Sequence, residues 1–242
     1  MHLRFLVVGL GSMGKRRIRN LFANHEREVV GFDIRADRRK EAEDKYGIKT
    51  VDSLSKMSAG DYDVLLISAS PETHGQYIRM ALRNKKHFFI EHPASEDGYK
   101  EILNDKNKNL TKAPSCTLRF SKSVQTIKSF LAKEKIGKIL AFQYHTGQYL
   151  PDWHPWEDYR KVYFSKKKTS ACREMLPFEL IGLNWLMGSV VDKISGFMGK
   201  VSNLEMDADD IISASLVYQN GIVGSIVIDA ISRKPLRTLR VV

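Results

Sequence analysis

Along the first 120 residues, apolar runs and amphipathic, charged stretches take turns. Residues 3–9 are apolar enough for a central strand buried on both faces, and a helix is predicted from Ser12 to Ala23, with Met13, Ile18, Leu21 and Phe22 on its inner face. "VVGFD" at 29–33 reads as a second strand, and "ADRRKEAEDKYG" as a charged surface helix stopped by Gly47. "DVLLISAS" at 63–70 is a third strand, followed by a helix that starts near Pro71. "HFFIE" is the next strand, "SEDGYKEILND" a helix that Ser95 can cap, and "SCTLRF" at 115–120 a further strand. Such alternation predicts a parallel sheet with helices on both faces.

After Phe120 the pattern changes. "SVQTIKSFLAKEKIG" is helical, "KILAFQYHTGQYL" a long strand, and "PDWHPWEDYR" an aromatic loop. A helix is predicted around 174–187, ending at Gly188, because Pro177 fits only near a first turn. "KISGFMGKV", then "IISASLVYQNGIVGSIVIDAIS" with its Asn220-Gly221 hairpin signal, then "LRTLRVV", are strand-like. The expected architecture is an α/β domain over residues 1–120 and an α+β domain with an open-faced, mostly antiparallel sheet over 121–242.

Composition changes this picture little. With 43% hydrophobic and 28% charged residues the chain is a globular type, and no apolar run approaches the roughly 18 residues of a membrane span. "MHLRFLVVGLGSMG" ends in glycines, so it reads as a first strand rather than a signal peptide. Cys116 and Cys172 stand far apart, which suggests reduced thiols in a cytoplasmic protein, and nothing has metal-ligand spacing. The net charge of +11 raises nucleic acid as a partner. Residues 1–119 hold 22 Lys and Arg against 16 Asp and Glu, and the remainder 17 against 12, so the excess is spread evenly. That is a solvated basic surface, one that can attract anionic substrates, and not a nucleic-acid site.

The strongest local chemistry is "GLGSMG". Gly9, Gly11 and Gly14 have G-x-G-x-x-G spacing, follow an apolar strand, open a helix, and precede Asp33 at the end of the second strand. Gly9 permits the tight turn, Gly11 lets backbone N–H groups reach a pyrophosphate, and Gly14 lets helix and strand pack closely; Ser12 and Met13 lie at the helix N-terminus that faces the phosphates. Asp33 would accept from the adenosine ribose hydroxyls and repel a 2′-phosphate, favouring NAD. Arg35, Arg38 and Arg39 follow, and an arginine just after the acid can hold a phosphate, which keeps NADP as an alternative.

With these residues in place, the chain resembles the Gfo/Idh/MocA family of NAD(P)-dependent oxidoreductases. The resemblance rests on "VVGLGSMG", on "ISASPETH" at 67–74, on "FIEHP" at 89–93, on "LRF" at 118–120 and on "GQYLPDWHPWEDYR" at 147–160, the last resembling a branch linked with surface-sugar metabolism. It implies a Rossmann domain, then an open-faced sheet, with a sugar, cyclitol or sugar nucleotide bound between them and hydride exchanged with the nicotinamide. It further implies cofactor contacts at Ser68, Pro71, His74, Glu91, His92 and Pro93, and a homo-oligomer formed through the C-terminal sheet.

Three departures stand out. His92 replaces the family's usual lysine, and an imidazole can do general acid–base work near neutral pH. Aligning Trp185, Leu186 and Gly188 on the family pattern puts Met175 and Phe178 where many relatives carry an acid and a proton-carrying histidine. The chain also stops in mid-sheet by that pattern, as a natural short form or a fragment, leaving a sheet edge that invites association. His154 is the alternative proton carrier and Glu174 the next. Trp153, Tyr149, Tyr159, His154, Arg160 and, at a strand end, Arg119 are the substrate-binding candidates, with Lys166 to Lys168 able to hold an anionic group. The altered positions leave a second reading open, a dinucleotide-binding sensor or scaffold without turnover.

Overall fold

The computed structural model describes residues 3–92 and 95–242. It divides into two units, one ending at Ser115 and one beginning at Cys116.

The first unit is a six-stranded, all-parallel sheet. Its strands are β1 (Phe5–Val8), β2 (Val29–Phe32), β3 (Lys49–Val51), β4 (Val64–Ile67), β5 (His87–Ile90) and β6 (Lys112–Pro114), in the order β3-β2-β1-β4-β5-β6. Four helices connect them: α1 (Ser12–Ala23), α2 (Ala36–Tyr46), α3 (His74–Arg83) and α4 (Tyr99–Asn104). All four residues of β1 are buried because helices cover both faces: Leu6 and Val8 pack with Leu65, Ile67, Phe88 and Ile78, while Phe5 and Val7 pack with Leu10, Ile18, Val29 and Leu66. The strand order reverses between β1 and β4, so their carboxyl ends flank the crevice where such sheets bind ligands.

Two local expectations fail here. Residues 115–120 are not a strand: β6 is over by Pro114, and a short helix, α5 (Thr117–Phe120), opens the second unit, so "LRF" is helical and Arg119 lies on a helix rather than at a strand end. Ser95 does not cap α4; its hydroxyl accepts from the Asp97 N–H, and Gly98, at φ 90°, stands at the cap.

The second unit continues with α6 (Lys122–Ala132), β7 (Ala141–Gly147), α7 (Ala171–Met187), β8 (Val191–Gly199), β9 (Ile211–Tyr218), β10 (Val223–Asp229) and β11 (Leu236–Val241). The sheet order is β11-β7-β10-β9-β8, with every pair antiparallel except β10 and β7. The Asn220-Gly221 turn joins β9 to β10 as a hairpin, with Gly221 at φ 86°. Alternation along β9 sends Ile212, Ala214, Leu216 and Tyr218 into the core, where Leu183, Leu186 and Met187 of α7 join them. Ser213, Ser215 and Val217 point to the opposite face.

Helix α7 starts earlier than the proline suggested. Ser170 caps it, its hydroxyl accepting from the Arg173 N–H, which adds a turn and puts Pro177 inside the helix. Cys172 is fully buried on this helix and donates to the Ile228 carbonyl, and burial pushes its thiol pKa well up; Cys116 is half-buried and free. No helix among the described residues is long and apolar enough to cross a membrane.

Candidate functional site

At the crevice of the first unit two of the three glycines are sterically required. Gly9 sits at φ 87°, and a Cβ there would stand 2.6 Å from the Ser68 carbonyl. A Cβ on Gly14 would stand 1.8 Å from the Gly9 carbonyl. Gly11 is different: its Cβ would meet only the Arg38 guanidinium, at 3.6 Å. So Gly9 and Gly14 are fixed by packing, whereas Gly11 keeps the backbone open. Among the described residues no side chain caps α1, and its first turn holds no acid, so its leading N–H groups have no side-chain cap there.

Asp33 is buried at the end of β2. Its carboxylate accepts from the Leu10 N–H at 2.8 Å and the Arg35 N–H at 2.9 Å, tying the glycine turn to the second strand. The Arg35 side chain turns away to Asp37, whose pKa falls to about 2 through that hydrogen bond. It is Arg38 that stands beside the acid, 3.6 Å from its carboxylate, while Arg39 donates to the Asp33 carbonyl. The Ser68 hydroxyl at the end of β4 is buried with no hydrogen-bond partner among the described residues. His74 is buried and shares a 3.0 Å hydrogen bond with the Ala69 carbonyl, bracing the turn that carries the buried Pro71; burial pushes its pKa down.

After β5 comes the pair Glu91 and His92. Glu91 is buried and held by Arg17 of α1. His92 is half-buried, and burial is the largest influence lowering its pKa. Pro93 lies outside the described residues.

The second unit has its own cleft of about 430 Å³, lined by β7 and its continuation (Thr146, Gly147, Gln148), Trp153, one face of α7 (Met175, Phe178, Glu179) and the start of β11 (Pro235, Leu236, Arg237). Glu179 is fully buried, accepting from the Tyr144 hydroxyl at 2.5 Å and from Arg237 at 2.6 Å. Burial, then the Glu179 charge, raises the Tyr144 pKa well above the usual phenol value.

Of the aromatic loop, Trp153 alone lines this cleft. Its indole N–H donates to the Gln148 carbonyl, and its ring meets Phe164 edge-on at 5.2 Å. His154 shares a 2.7 Å hydrogen bond with Glu157 and stacks on the exposed Trp156. Arg160 is taken by Asp158 and Glu205, the Tyr159 hydroxyl accepts from the Glu205 N–H, and Arg233 stacks on Tyr149 at 3.7 Å. Arg119 lies over the Trp185 ring at 5.5 Å. Glu174 accepts from the Tyr163 hydroxyl and does not line the cleft.

Comparison with known proteins decides the relationship. Residues 3–109 match the model of the oxidoreductase family with NAD-binding Rossmann fold, GFO_IDH_MocA, and residues 124–242 match the GFO/IDH/MocA C-terminal domain. The chain belongs to the Gfo/Idh/MocA family. It is 25% identical over 216 residues to an inositol 2-dehydrogenase of Salmonella paratyphi B, covering 84% of this chain and 60% of that one. It is 26% identical over 142 residues to a myo-inositol 2-dehydrogenase of Thermotoga maritima, covering 56% and 42%. The chain thus spans about half the length of these curated relatives. Among solved structures, the WlbA dehydrogenase of Bordetella pertussis, in complex with NADH and UDP-GlcNAcA, shares the fold at a TM-score of 0.84 and 19% identity, covering all of this chain and 77% of that one.

The Gfo/Idh/MocA fold implies a dinucleotide at the glycine turn, and the residues present fit one. The α1 N-terminus is uncapped, the backbone over Gly11 is open, and the Ser68 hydroxyl needs a partner. The sequence did not single out Arg17, Thr146, Gln148 or Arg237, and it offered Glu179 only as a charge near, but not at, the family's acid and histidine positions. Only two of these had a signal: a buried acid at Glu91 calls for a buried cation, and Glu179 shares a helix face with Met175, four residues back.

Proposed function

We propose that the protein is an NAD-dependent dehydrogenase exchanging hydride with a ring carbinol of a sugar- or cyclitol-like substrate. The observation that carries this reading is the mouth of the N-terminal sheet. There an uncapped helix start behind three glycines, a buried acid after β2 and an imidazole after β5 all stand at the carboxyl ends of parallel strands. The inositol dehydrogenase relatives support the same chemistry.

When bound, NAD supplies the hydride acceptor. The first-turn N–H groups of α1 hold the pyrophosphate, and Ser68 lends its hydroxyl nearby. Asp33 accepts the ribose hydroxyls: each carboxylate oxygen takes one backbone N–H and keeps acceptor capacity to spare. Its charge disfavours a 2′-phosphate, and Arg38 is the residue that would favour one. His92 takes the hydroxyl proton in the oxidative direction. Burial, by pushing its pKa down, keeps the ring neutral and accepting near pH 7.

In this reading the C-terminal cleft holds the substrate ring, with its apolar face on Trp153, Met175 and Phe178 and its hydroxyls on Thr146, Gln148 and Arg237. Glu179 and Arg237 offset one another in charge, so the cleft suits a neutral polyol better than an anionic sugar. The open face of the sheet, with Phe197 56% and Val223 48% exposed among serines, is the proposed dimer surface, and two unpaired thiols suit a cytoplasmic protein. Phe197→Glu is expected to shift sedimentation from dimer to monomer.

The test of the activity is an NADH fluorescence titration followed by initial rates on a panel of inositols, neutral sugars, uronates and sugar nucleotides. NAD-coupled turnover of a neutral ring polyol supports the reading. Tight NAD binding without turnover across the panel would turn it toward a non-catalytic dinucleotide binder.

A further inference from the structure

One buried charge pair in the first unit has no part in the proposal above. Arg17 lies on α1, three residues after Gly14. Its Nε donates to Glu91 Oε1 at 2.5 Å and its Nη2 to Oε2 at 2.8 Å, while Nη2 also reaches the Ser115 hydroxyl at 3.3 Å. The guanidinium lies 4.6 Å from the centre of the Phe89 ring. The two side chains are only 13% and 9% exposed. A planar fork on a carboxylate, with an aromatic ring against it, admits essentially one geometry. Desolvating both charges makes such a pair a weak source of stability, so its consequence is better sought in its neighbour, and that neighbour is His92.

We propose that Arg17 and Glu91 are positioning residues for His92. The pair ties the end of β5 to the helix that opens the phosphate site, and fixes both where the imidazole stands and which charges it faces. The inference rests on the reading of His92 as the proton carrier. Among the described residues, the charged and titratable groups whose charge acts on His92 include Glu91 from its own strand end, Arg17 from α1 and His74 from the start of α3. Burial lowers the His92 pKa most, Glu91 raises it, and Arg17 and His74 lower it. Glu91 and Arg17 act in opposite senses, so removing one or the other should move the value in opposite directions. A lysine at position 17 would keep the charge but lose the fork.

The experiment follows the imidazole signals of the whole protein by NMR across pH, with His92→Gln assigning the His92 resonance, alongside the pH dependence of kcat. Arg17→Met should raise the His92 pKa and Glu91→Gln should lower it. Arg17→Lys should leave it near the wild-type value while kcat falls by on the order of 10-fold to 10²-fold, as expected for a reacting group displaced by up to an ångström. NAD affinity should survive in all three. Shifts in the same direction for Arg17→Met and Glu91→Gln, or no shift in either, would overturn the proposal, as would full kcat in Arg17→Lys. If Arg17→Met does not fold, the Glu91→Gln shift and the Arg17→Lys rate still decide. Opposite NMR shifts that the rate profile does not follow would uphold the pair as the setting of His92 and remove His92 as proton carrier, separating the two readings.

Discussion

The two units present polar groups at the ends of their strands in contrasting ways. In the first, the groups that matter are backbone N–H donors, bared because Gly11 has no side chain and α1 no cap. In the second, they are side chains already locked together, with Tyr144 and Arg237 closing on the buried Glu179. A backbone site is insensitive to most substitutions but intolerant of added bulk. A side-chain site tolerates bulk around it but not the loss of one partner. That contrast predicts different damage from mutation in the two places.

The largest effect should come from Arg237→Met. It leaves a fully buried carboxylate at Glu179 with the Tyr144 hydroxyl but without its cation; breaking a fully buried pair costs about 3–5 kcal/mol, and because the Arg237 side chain is 47% exposed roughly 3 kcal/mol is expected, to be read as a lower denaturant midpoint. A midpoint unchanged from wild type would break the comparison, because the triad would then not be locked. Next, His92→Ala should lower kcat by on the order of 10²-fold or more while leaving NAD affinity nearly intact. His154→Ala, which removes the Glu157 bond, the Trp156 stack and the edge contact with Phe164, should leave kcat close to wild type; a reversal of these two results would move the proton carrier to the aromatic loop. Asp33→Ala should relax the preference for NAD over NADP by roughly tenfold, equivalent to about 1.4 kcal/mol of lost repulsion. If Asp33→Ala/Arg38→Ala behaves like the single variant, Arg38 has no hold on the phosphate.

The smallest effect concerns pH. His74 and His92 both have folded pKa values below the ordinary 6.5 because burial disfavours the charged ring. Below 6.5 the unfolded chain therefore binds protons that the folded one does not. Their contribution to stability is full above 6.5 and is lost as pH falls toward the depressed folded values. Unfolding midpoints measured between pH 7 and pH 5 should decline, and less so in His74→Gln. An equal decline in that variant would mean His74 contributes nothing to it.

The same contrast explains what could be read from the chain itself. The glycine turn is local: Gly9, Gly11, Gly14 and Asp33 belong to one strand–helix–strand unit, and apolar runs mark each long strand. The three-residue β3 carries no such run and pairs only with β2 at the sheet edge, so it left no signature. "SCTLRF" has the alternation of a strand, but β6 is already paired by Pro114 and the chain turns into a helix. Pro177 hid the first turn of α7, since nothing in the sequence says that Ser170 will cap so far upstream. The cleft was least legible. Thr146 and Arg237 become neighbours only because β11 returns to pair with β7, a register that no local pattern encodes.

The unlike environments of the two thiols also make the molecule easy to label. Cys172 is sealed in the core with its thiolate strongly disfavoured, so an alkylating reagent will reach it only on unfolding. Cys116, half-buried at the first residue of the second unit, remains to react. A maleimide dye should therefore attach once per native chain and twice per denatured one. The stoichiometry of labelling becomes a direct count of unfolded molecules, with no engineered cysteine required.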